Sequence, residues 1–446
     1  TEARRVGRAG EFQVFHLGFT EQSVAYNPVG SFSRVTEVAS RIAGQLPNEG
    51  NSAAFREFAW RYVNVLAKVL DVLGEPINYQ VLLECSTDID ALVVRYLACV
   101  ARQHQFEDWS EQLADLVASE AKMPVQYKGR DRTAWASVEL FRRNGFNDPT
   151  ATSLIKTFEH DKSHFDKLVA SLYPLLEKLT SGPVAQLLSP ESSPEDTRER
   201  LSWKRVIERG GIVYVGLDAL SDPDVASAVG NAMFADLTSV AGSLYKDAQR
   251  GAPLKKVCVH ADEFNELVGR EFIPLANKAG GAGFQLTVYT QTLSDIVARF
   301  DNPARAGQVV GNLGTIIMLR VKEKATAELL TTRLKDVEIN HLMLDSGSTD
   351  SADPTTDVHF TSSTRQRISS QRVPMLHAGD LDALPKGHAF ALIAGRLYKL
   401  RLPLFSDEAE LPSGLQAMVE AMRRDYQHGD TASTDWATTT PLGWQS

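Results

Sequence analysis

Two adjacent carboxylates, Asp262 and Glu263, directly follow the apolar run Val257–Ala261 and are well suited to catalysis. A strand that ends in Asp-Glu carries both side chains to the sheet edge where ligands bind in open α/β folds. There, Asp262 could hold Mg²⁺ through water, and Glu263 could orient and deprotonate an attacking water. The alternative is a strand end with two solvated acids, because so short a motif is weak on its own.

A second polar strand end follows at Gln291, after a predicted strand at 285–289. If this strand neighbours the first, Gln291 could hydrogen-bond the attacking water or the γ-phosphate of a nucleotide. A third apolar run at 211–217 leads into a long helical pattern. Together, these features predict a site that hydrolyses ATP.

The usual phosphate-binding loop is missing from the 446 residues, which contain no G-x-x-x-x-G-K-[ST] and no Gly-Lys dipeptide. The chain also begins at Thr1 without an initiator Met. We therefore expect it to be the later part of a longer protein whose phosphate-binding loop lies upstream. On this view the chain alone binds ATP poorly, because backbone amides and a lysine of that loop supply most phosphate contacts.

The composition is that of an ordinary globular protein, with 43% hydrophobic and 23% charged residues. A net charge of −9 argues against general nucleic-acid coating but allows a local basic channel. The three cysteines lack metal-type spacing and suit a reducing cytoplasm. No apolar run approaches the ~18 residues of a membrane span.

Hydrophobic periodicity divides the chain into segments with helical patterns and segments with alternating strand and helix patterns. A strand at 11–18 and a helix at 33–43 precede a helical stretch, which is either an all-α insertion or several helices crossing over a sheet. After a polar connector at 189–196, strand and helix patterns alternate, which predicts a mainly parallel sheet. The later strands are predicted at 211–217, 257–261, 285–289 and 315–321.

Four segments result: a first part of an α/β domain at 1–52, an all-α insertion at 53–180, the rest of the α/β domain at 181–405, and an acidic, Thr-rich tail at 406–446. Within the last two, the residue patterns predict a flexible Ser/Asp-rich loop at 346–356, a closing hairpin around Gly395 and a helix near 414–426.

Five stretches of the sequence give a specific resemblance. They are FHLGFTEQSVAYNPVGSFSRVTEVASRIA, GGIVYVGLDAL, VHADEFNELVGREFIPLANKAGGAGFQLTVYTQT, VVGNLGTIIMLRVKEKATAELL and LPKGHAFALIAGRLYKLRLPL. The chain resembles TraD-type conjugative coupling proteins, the motor ATPases of conjugative type IV secretion. It is most similar to the subfamily found on integrative conjugative elements, over most of residues 11–405.

The resemblance implies a RecA-like P-loop ATPase core with an inserted all-α domain, a homo-hexameric ring, and a membrane anchor upstream of the phosphate-binding loop. It implies ATP and Mg²⁺ as cofactors, and DNA, a relaxase and the secretion channel as partners. In this reading Asp262 and Glu263 are the Walker B pair and Gln291 is the glutamine sensor. The chain would form the cytoplasmic domain of a bacterial inner-membrane protein.

The family often carries an arginine between these motifs that reaches the neighbouring subunit's nucleotide. Residues 275–281 contain no arginine, and Lys278 is the nearest cation. Arg305, Arg320 or Arg270 could substitute, since a delocalised charge favours arginine. Equally, Lys278 could be an ordinary charge at a helix C-terminus before a glycine cap.

Basic residues that could form a DNA path contact phosphates without reading sequence. The candidates are Arg365, Arg367 and Arg372 within 361–372, together with Lys128, Arg130 and Arg132. The alternative for each is a solvated surface charge.

Two other patterns carry little weight. His160 and His164 have metal-pair spacing but no evident third ligand, and the absence of G-x-S-x-G leaves a hydrolase triad unsupported.

We therefore predict a coupling ATPase that recruits the relaxosome and drives DNA into a conjugative channel. The alternatives are a non-catalytic adaptor with a motor fold, favoured by the missing phosphate-binding loop, or another hexameric DNA translocase. We expect the chain alone to be monomeric or only weakly associated.

Overall fold

The structure is a computed structural model that describes residues 3, 7–46, 52–119, 121–160, 172–192, 195–269, 271–300, 302–350, 355 and 360–403. Internal contacts divide the chain into two compact units, the first running to Tyr289 and the second beginning at Thr290. The predicted helix near 414–426 and the tail lie outside the described residues.

Two pairs of parallel strands occur in the first unit. Strand β1 (Phe12–His16) pairs with β2 (Ile212–Gly216), and β3 (Val257–Ala261) pairs with β4 (Phe284–Val288). Each of these strands lies within a residue or two of its predicted position. In the second pair Val257 faces Phe284 and Ala261 faces Val288, so both strands end together.

Helices fill most of the rest of the first unit, and several begin at aspartate or asparagine caps that satisfy free backbone N–H groups. Asp148, for example, accepts from the N–H of Ala151, with Pro149 at the first helical position. The helices are α1 (Thr36–Ala43), α2 (Ser52–Leu73), α3 (Tyr79–Thr87), α4 (Ile89–Gln103), α5 (Trp109–Ala118), α6 (Arg132–Arg143), α7 (Pro149–Phe158), α8 (Tyr173–Leu179), α9 (Gly182–Leu188), α10 (Trp203–Arg209), α11 (Pro223–Gln249), α12 (Phe264–Leu267) and α13 (Phe272–Lys278).

Between α2 and α9 the described part of the chain contains no strand, which agrees with the expected helical texture. The boundaries 53 and 180 remain a prediction. One apolar core runs from Phe15 of β1 through Leu66 and Tyr96 of the helical segment to Val229 of α11. The helices therefore share their core with β1 and α11.

The second unit contains α14 (Leu293–Phe300), α15 (Pro303–Gly311), α16 (Lys324–Thr331), α17 (Ala378–Asp382) and a three-stranded sheet. Strand β5 (Ile316–Met318) pairs antiparallel with β8 (His388–Ile393), which pairs antiparallel with β9 (Arg396–Arg401). The expected hairpin around Gly395 is therefore present. The strand expected at 315–321 is shorter and does not extend a parallel sheet, because its partner is the closing hairpin.

A long two-stranded ribbon completes this unit, in which β6 (Asp336–Asp350) pairs antiparallel with β7 (Phe360–Pro374). The flexible loop predicted at 346–356 is therefore wrong over its first five residues, Ser346 to Asp350. Their partners, 360–364, are mostly Ser and Thr, and such small polar pairs are compatible with a ladder. Among the described residues, no helix is both long enough and apolar enough to cross a bilayer.

Candidate functional site

The two carboxylates at the end of β3 are exposed and lie on a sharp bend of the backbone. Ala261 is buried, Asp262 and Glu263 are exposed, and Phe264 is again buried. Glu263 has φ 44° and ψ 49°, a left-handed conformation that costs energy for a residue with a Cβ. The carboxylate of Asp262 accepts a hydrogen bond of 3.0 Å from the Glu263 N–H. Such strain persists only where the surroundings enforce it, which is typical of functional sites.

The backbone of Tyr289 holds this bend from the neighbouring strand. Its N–H donates to the carbonyl of Ala261 at 2.9 Å, and its carbonyl accepts from the N–H of Phe264 at 2.9 Å. The two hydrogen bonds bracket Asp262 and Glu263. The end of β4 therefore fixes the direction in which both carboxylates leave the sheet.

A buried aromatic stack anchors the other side of the bend. The Phe264 ring meets Phe272 edge-to-face at 4.5 Å between centroids, and Phe272 meets Phe234 of α11 at 5.3 Å. Phe264 is fully buried. Because the residue directly after Glu263 is anchored in this way, the carboxylates sit on a rigid support.

The oxygen atoms available here fit Mg²⁺. Magnesium is usually held in proteins by one or two carboxylates together with substrate phosphates and water. Within the described residues no cluster of three or more His, Cys, Asp or Glu could form a complete cage. Two exposed carboxylates at one strand end match the incomplete donor set that a nucleotide-bound magnesium needs.

Gln291, the expected sensor, is exposed and lies two residues beyond Tyr289, at the start of the second unit. It directly precedes Thr292, whose hydroxyl accepts from the Asp295 N–H at 3.1 Å and so begins α14.

Of the expected finger candidates, Lys278 is exposed at the last residue of α13, where a short 3₁₀ turn ending at the left-handed Gly283 follows. Arg305 lies in the first turn of α15, Arg320 is exposed after β5, and Arg270 lies outside the described residues.

The three arginines proposed for DNA do not share one face. Arg365 and Arg367 lie two residues apart in β7 and therefore project to the same side of the ribbon. Their partners across the ladder are Asp345 and Met343. Arg372 lies on the other side, where it forms an ion pair with Glu338 at 3.0 Å. Only the first two can act together.

The second basic group expected on a DNA path has structural contacts. The guanidinium of Arg130 is almost fully buried, 3.2 Å from a carboxylate oxygen of Asp90, and Arg132 donates to the carbonyl of Val117 at 2.7 Å. Lys128 is exposed. His164, one half of the suspected metal pair, lies outside the described residues.

The pairing of His260 with Tyr289 was not predicted from the sequence. Their rings stack, and Nδ1 of His260 lies 3.0 Å from the Tyr289 hydroxyl. Both residues lie at the ends of neighbouring predicted strands, which was the available signal. The bend at Glu263 had no sequence signal, because glutamate rarely adopts a positive φ.

Comparisons with known proteins bear on the family and the fold. Residues 256–386 match the family described as the TraM recognition site of TraD and TraG. The structure of the bacterial conjugative coupling protein TrwBdeltaN70 in its unbound form is similar, with 11% identity, a TM-score of 0.53, and coverage of 92% of this chain and 77% of that one. The plasmid coupling protein TrwB with ADP and Mg²⁺ gives 12% identity, a TM-score of 0.52, and coverage of 90% and 76%.

TrwB with the non-hydrolysable ATP analogue ADPNP gives 11% identity, a TM-score of 0.52, and the same coverage of 90% and 76%. No curated protein matches the chain. The family match confirms the resemblance to TraD-type coupling proteins, and the solved structures confirm the expected fold, an α/β RecA-like core with an all-α domain.

Proposed function

We propose that this chain, a relative of the TraD-type conjugative coupling proteins, is the motor part of an ATPase that drives DNA into a conjugative type IV secretion channel. The observation that carries the proposal is the rigidly held bend at the end of β3, which presents Asp262 and Glu263 side by side to solvent. An ordinary solvated strand end does not require the strained backbone of Glu263 or the contacts that hold it.

ATP with Mg²⁺ is the cofactor that these carboxylates suit, and TrwB has been solved with ADP and Mg²⁺. Asp262 would position the magnesium through water. Glu263 would orient the attacking water and accept its proton, as a general base does. Gln291 would respond to the γ-phosphate, and Lys278 is the candidate for the finger that completes a neighbouring subunit's site.

The proposed partners are DNA, a relaxase with its relaxosome, the components of the channel, and further copies of the chain in a homo-hexamer of the full-length protein. The helical segment would recognise the relaxosome or incoming DNA. Arg365 and Arg367 would contact DNA phosphates from one face of the ribbon, whereas Arg372 is paired with Glu338. The chain would lie on the cytoplasmic side of a bacterial inner membrane.

Replacing Glu263 with Gln in the full-length protein tests the proposal. The change removes the base but keeps the side-chain size, so nucleotide binding should persist while turnover falls by about 10²–10⁴-fold, the usual worth of a general base. Glu266→Gln is the matched control, because Glu266 is an exposed glutamate three residues further on. Equal, normal turnover in both variants would remove Glu263 from the mechanism.

A non-catalytic adaptor with a motor fold is the second candidate, because no phosphate-binding motif occurs in the 446 residues. The two candidates differ in one measurement. An adaptor would retain relaxosome and DNA recruitment in the Glu263→Gln variant and would also support DNA transfer, whereas a motor would retain recruitment and lose transfer.

A further inference from the structure

The ribbon formed by β6 and β7 is long and stands apart from the rest of the second unit. Each strand has 15 residues in continuous register, from the pair Asp336 and Pro374 to the pair Asp350 and Phe360. At about 3.4 Å per residue, the ribbon is roughly 50 Å long. In the part of the chain that the structure describes, neither strand has a second partner at its outer edge.

Apolar side chains on the ribbon are left in water. Leu342 and Ile368 face each other across the ladder with exposed fractions of 58% and 72%, and Leu344 beside them is 60% exposed. A two-stranded ribbon is marginal in water, and its unpaired edges are templates for another strand. These features indicate that something else adds to the ribbon.

Charge is segregated between the two strands. Strand β6 carries Asp336, Glu338, Asp345 and Asp350 with no Lys or Arg, whereas β7 carries Arg365, Arg367 and Arg372 with no Asp or Glu. One outer edge is therefore acidic and the other basic. The acidic edge of one copy would repel the acidic edge of a second copy and attract its basic edge.

We propose that copies of this chain associate head-to-tail through the ribbon, with β6 of one copy adding to β7 of the next. Two ribbons that point the same way meet in antiparallel orientation at these edges. The register found within one ribbon can then repeat between copies, placing Asp345 beside Arg365 and Leu342 beside Ile368 of the adjacent copy. Arg365 would then lie between two copies of Asp345, and Arg372 between two copies of Glu338, whereas Arg367 faces Met343. The apolar pair would extend into a row.

Such an interface is heterologous, since it joins different surfaces, and it closes into a ring when the rotation between copies allows. The inference does not depend on nucleotide hydrolysis and therefore goes beyond the proposed function. With four acidic and three basic residues, the ribbon as a whole attracts a second copy better than it attracts a nucleic acid. This arrangement assigns Arg365 to the interface between copies and leaves Arg367, opposite Met343, as the DNA contact of the proposed function. The edge contact is small, so association of the isolated chain should be weak.

Cysteine crosslinking between two different variants tests the arrangement. Asp345→Cys and Arg365→Cys are prepared as separate full chains, each carrying Cys258→Ser to remove the exposed native cysteine. One of them carries a mass tag, and the chains are oxidised singly and mixed. Directly opposed residues are within reach of a disulfide, and a chain with one introduced cysteine cannot close that bond on itself.

We expect covalent dimers in the mixture and few in either single sample. Adding Ile368→Lys to the Arg365→Cys chain should lower the yield about tenfold, as a loss of about 1.4 kcal/mol in association would do. The control is Arg61→Cys, another exposed arginine, mixed with Asp345→Cys; it should give background only.

Three results would overturn the proposal. One is efficient dimerisation of either single variant, which would mean that β6 pairs with β6, or β7 with β7, of another copy. Another is a mixture that gives no more dimer than the Arg61→Cys control. The third is a ribbon that crosslinks in no combination while Arg365→Glu weakens binding of a DNA oligonucleotide, because DNA would then be its occupant.

Discussion

Replacing Arg41 with Met should be among the most destabilising single changes in the first unit. The side chains of Arg41 and Asp236 are each only 3% exposed, and their charged groups lie 3.3 Å apart. Arg41 also donates to the carbonyl of Pro28 at 2.9 Å. Without the guanidinium, Asp236 keeps the hydroxyl donors of Tyr26, at 2.9 Å, and Ser31, but no counter-charge.

Breaking a buried ion pair from one side costs about 3–5 kcal/mol, because a charge is left buried without its partner. The matched control is Arg61→Met, which removes an ion pair with Glu57 between side chains that are 71% and 65% exposed. Exposed pairs contribute about 0–1 kcal/mol. Urea unfolding of all variants, compared with wild type at fixed pH, gives both values.

The pH dependence provides an independent check. Burial raises the pKa of Asp236 above its ordinary value, and Arg41 acts against this rise. A raised pKa means that the folded protein favours the protonated carboxyl, so this contribution to stability is present at low pH and lost as pH rises through the folded pKa. Removing Arg41 strengthens the effect, and the defect of Arg41→Met should therefore shrink in acid.

The double variant Arg41→Met, Asp236→Asn should recover part of the lost stability, since no buried charge remains unpaired. The reasoning is refuted if Arg41→Met costs no more than Arg61→Met at neutral pH. It is also refuted if the defect of Arg41→Met is unchanged between neutral and mildly acidic solution.

Three further predictions concern the strand ends. Gly216→Ala should destabilise by about 1–3 kcal/mol in thermal unfolding, because its Cβ would lie 2.1 Å from Cδ2 of His16, whereas Gly242→Ala, with open space around it, should not. Burial lowers the pKa of His16 below 6.5, although the nearby Asp218 acts against this shift. The stabilising contribution of His16 is therefore present above that pH and lost in acid. His16→Gln should flatten the dependence of the unfolding free energy on pH in this range, and an unchanged dependence would contradict this. Phe264→Ala should cost about 3–5 kcal/mol in urea unfolding because this ring is fully buried, and a cost below 1 kcal/mol would show that it does not anchor the bend.

Local patterns were sufficient where one segment decides its own structure. The β3 strand and its Asp-Glu end were predictable because an apolar run with a polar terminus reads as a buried strand in any context. The long helix α11, which the pattern after 211–217 predicts, begins at Pro223 because the Asp222 side chain accepts from the N–H groups of Asp224 and Val225.

Patterns failed where a distant segment decides. Residues 346–350 are rich in Ser, Asp and Gly and read as a loop, yet they form a strand because residues 360–364 pair with them. β-propensity depends on neighbours across the ladder more than on the segment itself. For the same reason, the split of the three arginines between two faces appears only once the register is known.

By itself, the sequence determined the class of this protein: the order of strands β1 to β5, the helical pattern before residue 189, and the pair Asp262 and Glu263 at a strand end. These depend on periodicity and on adjacent residues. Only the tertiary structure decided that the pair is bent through a left-handed Glu263 and held by the backbone of Tyr289. It also decided that acidic β6 lies beside basic β7. Both are contacts between residues far apart along the chain, and local spacing does not encode such contacts.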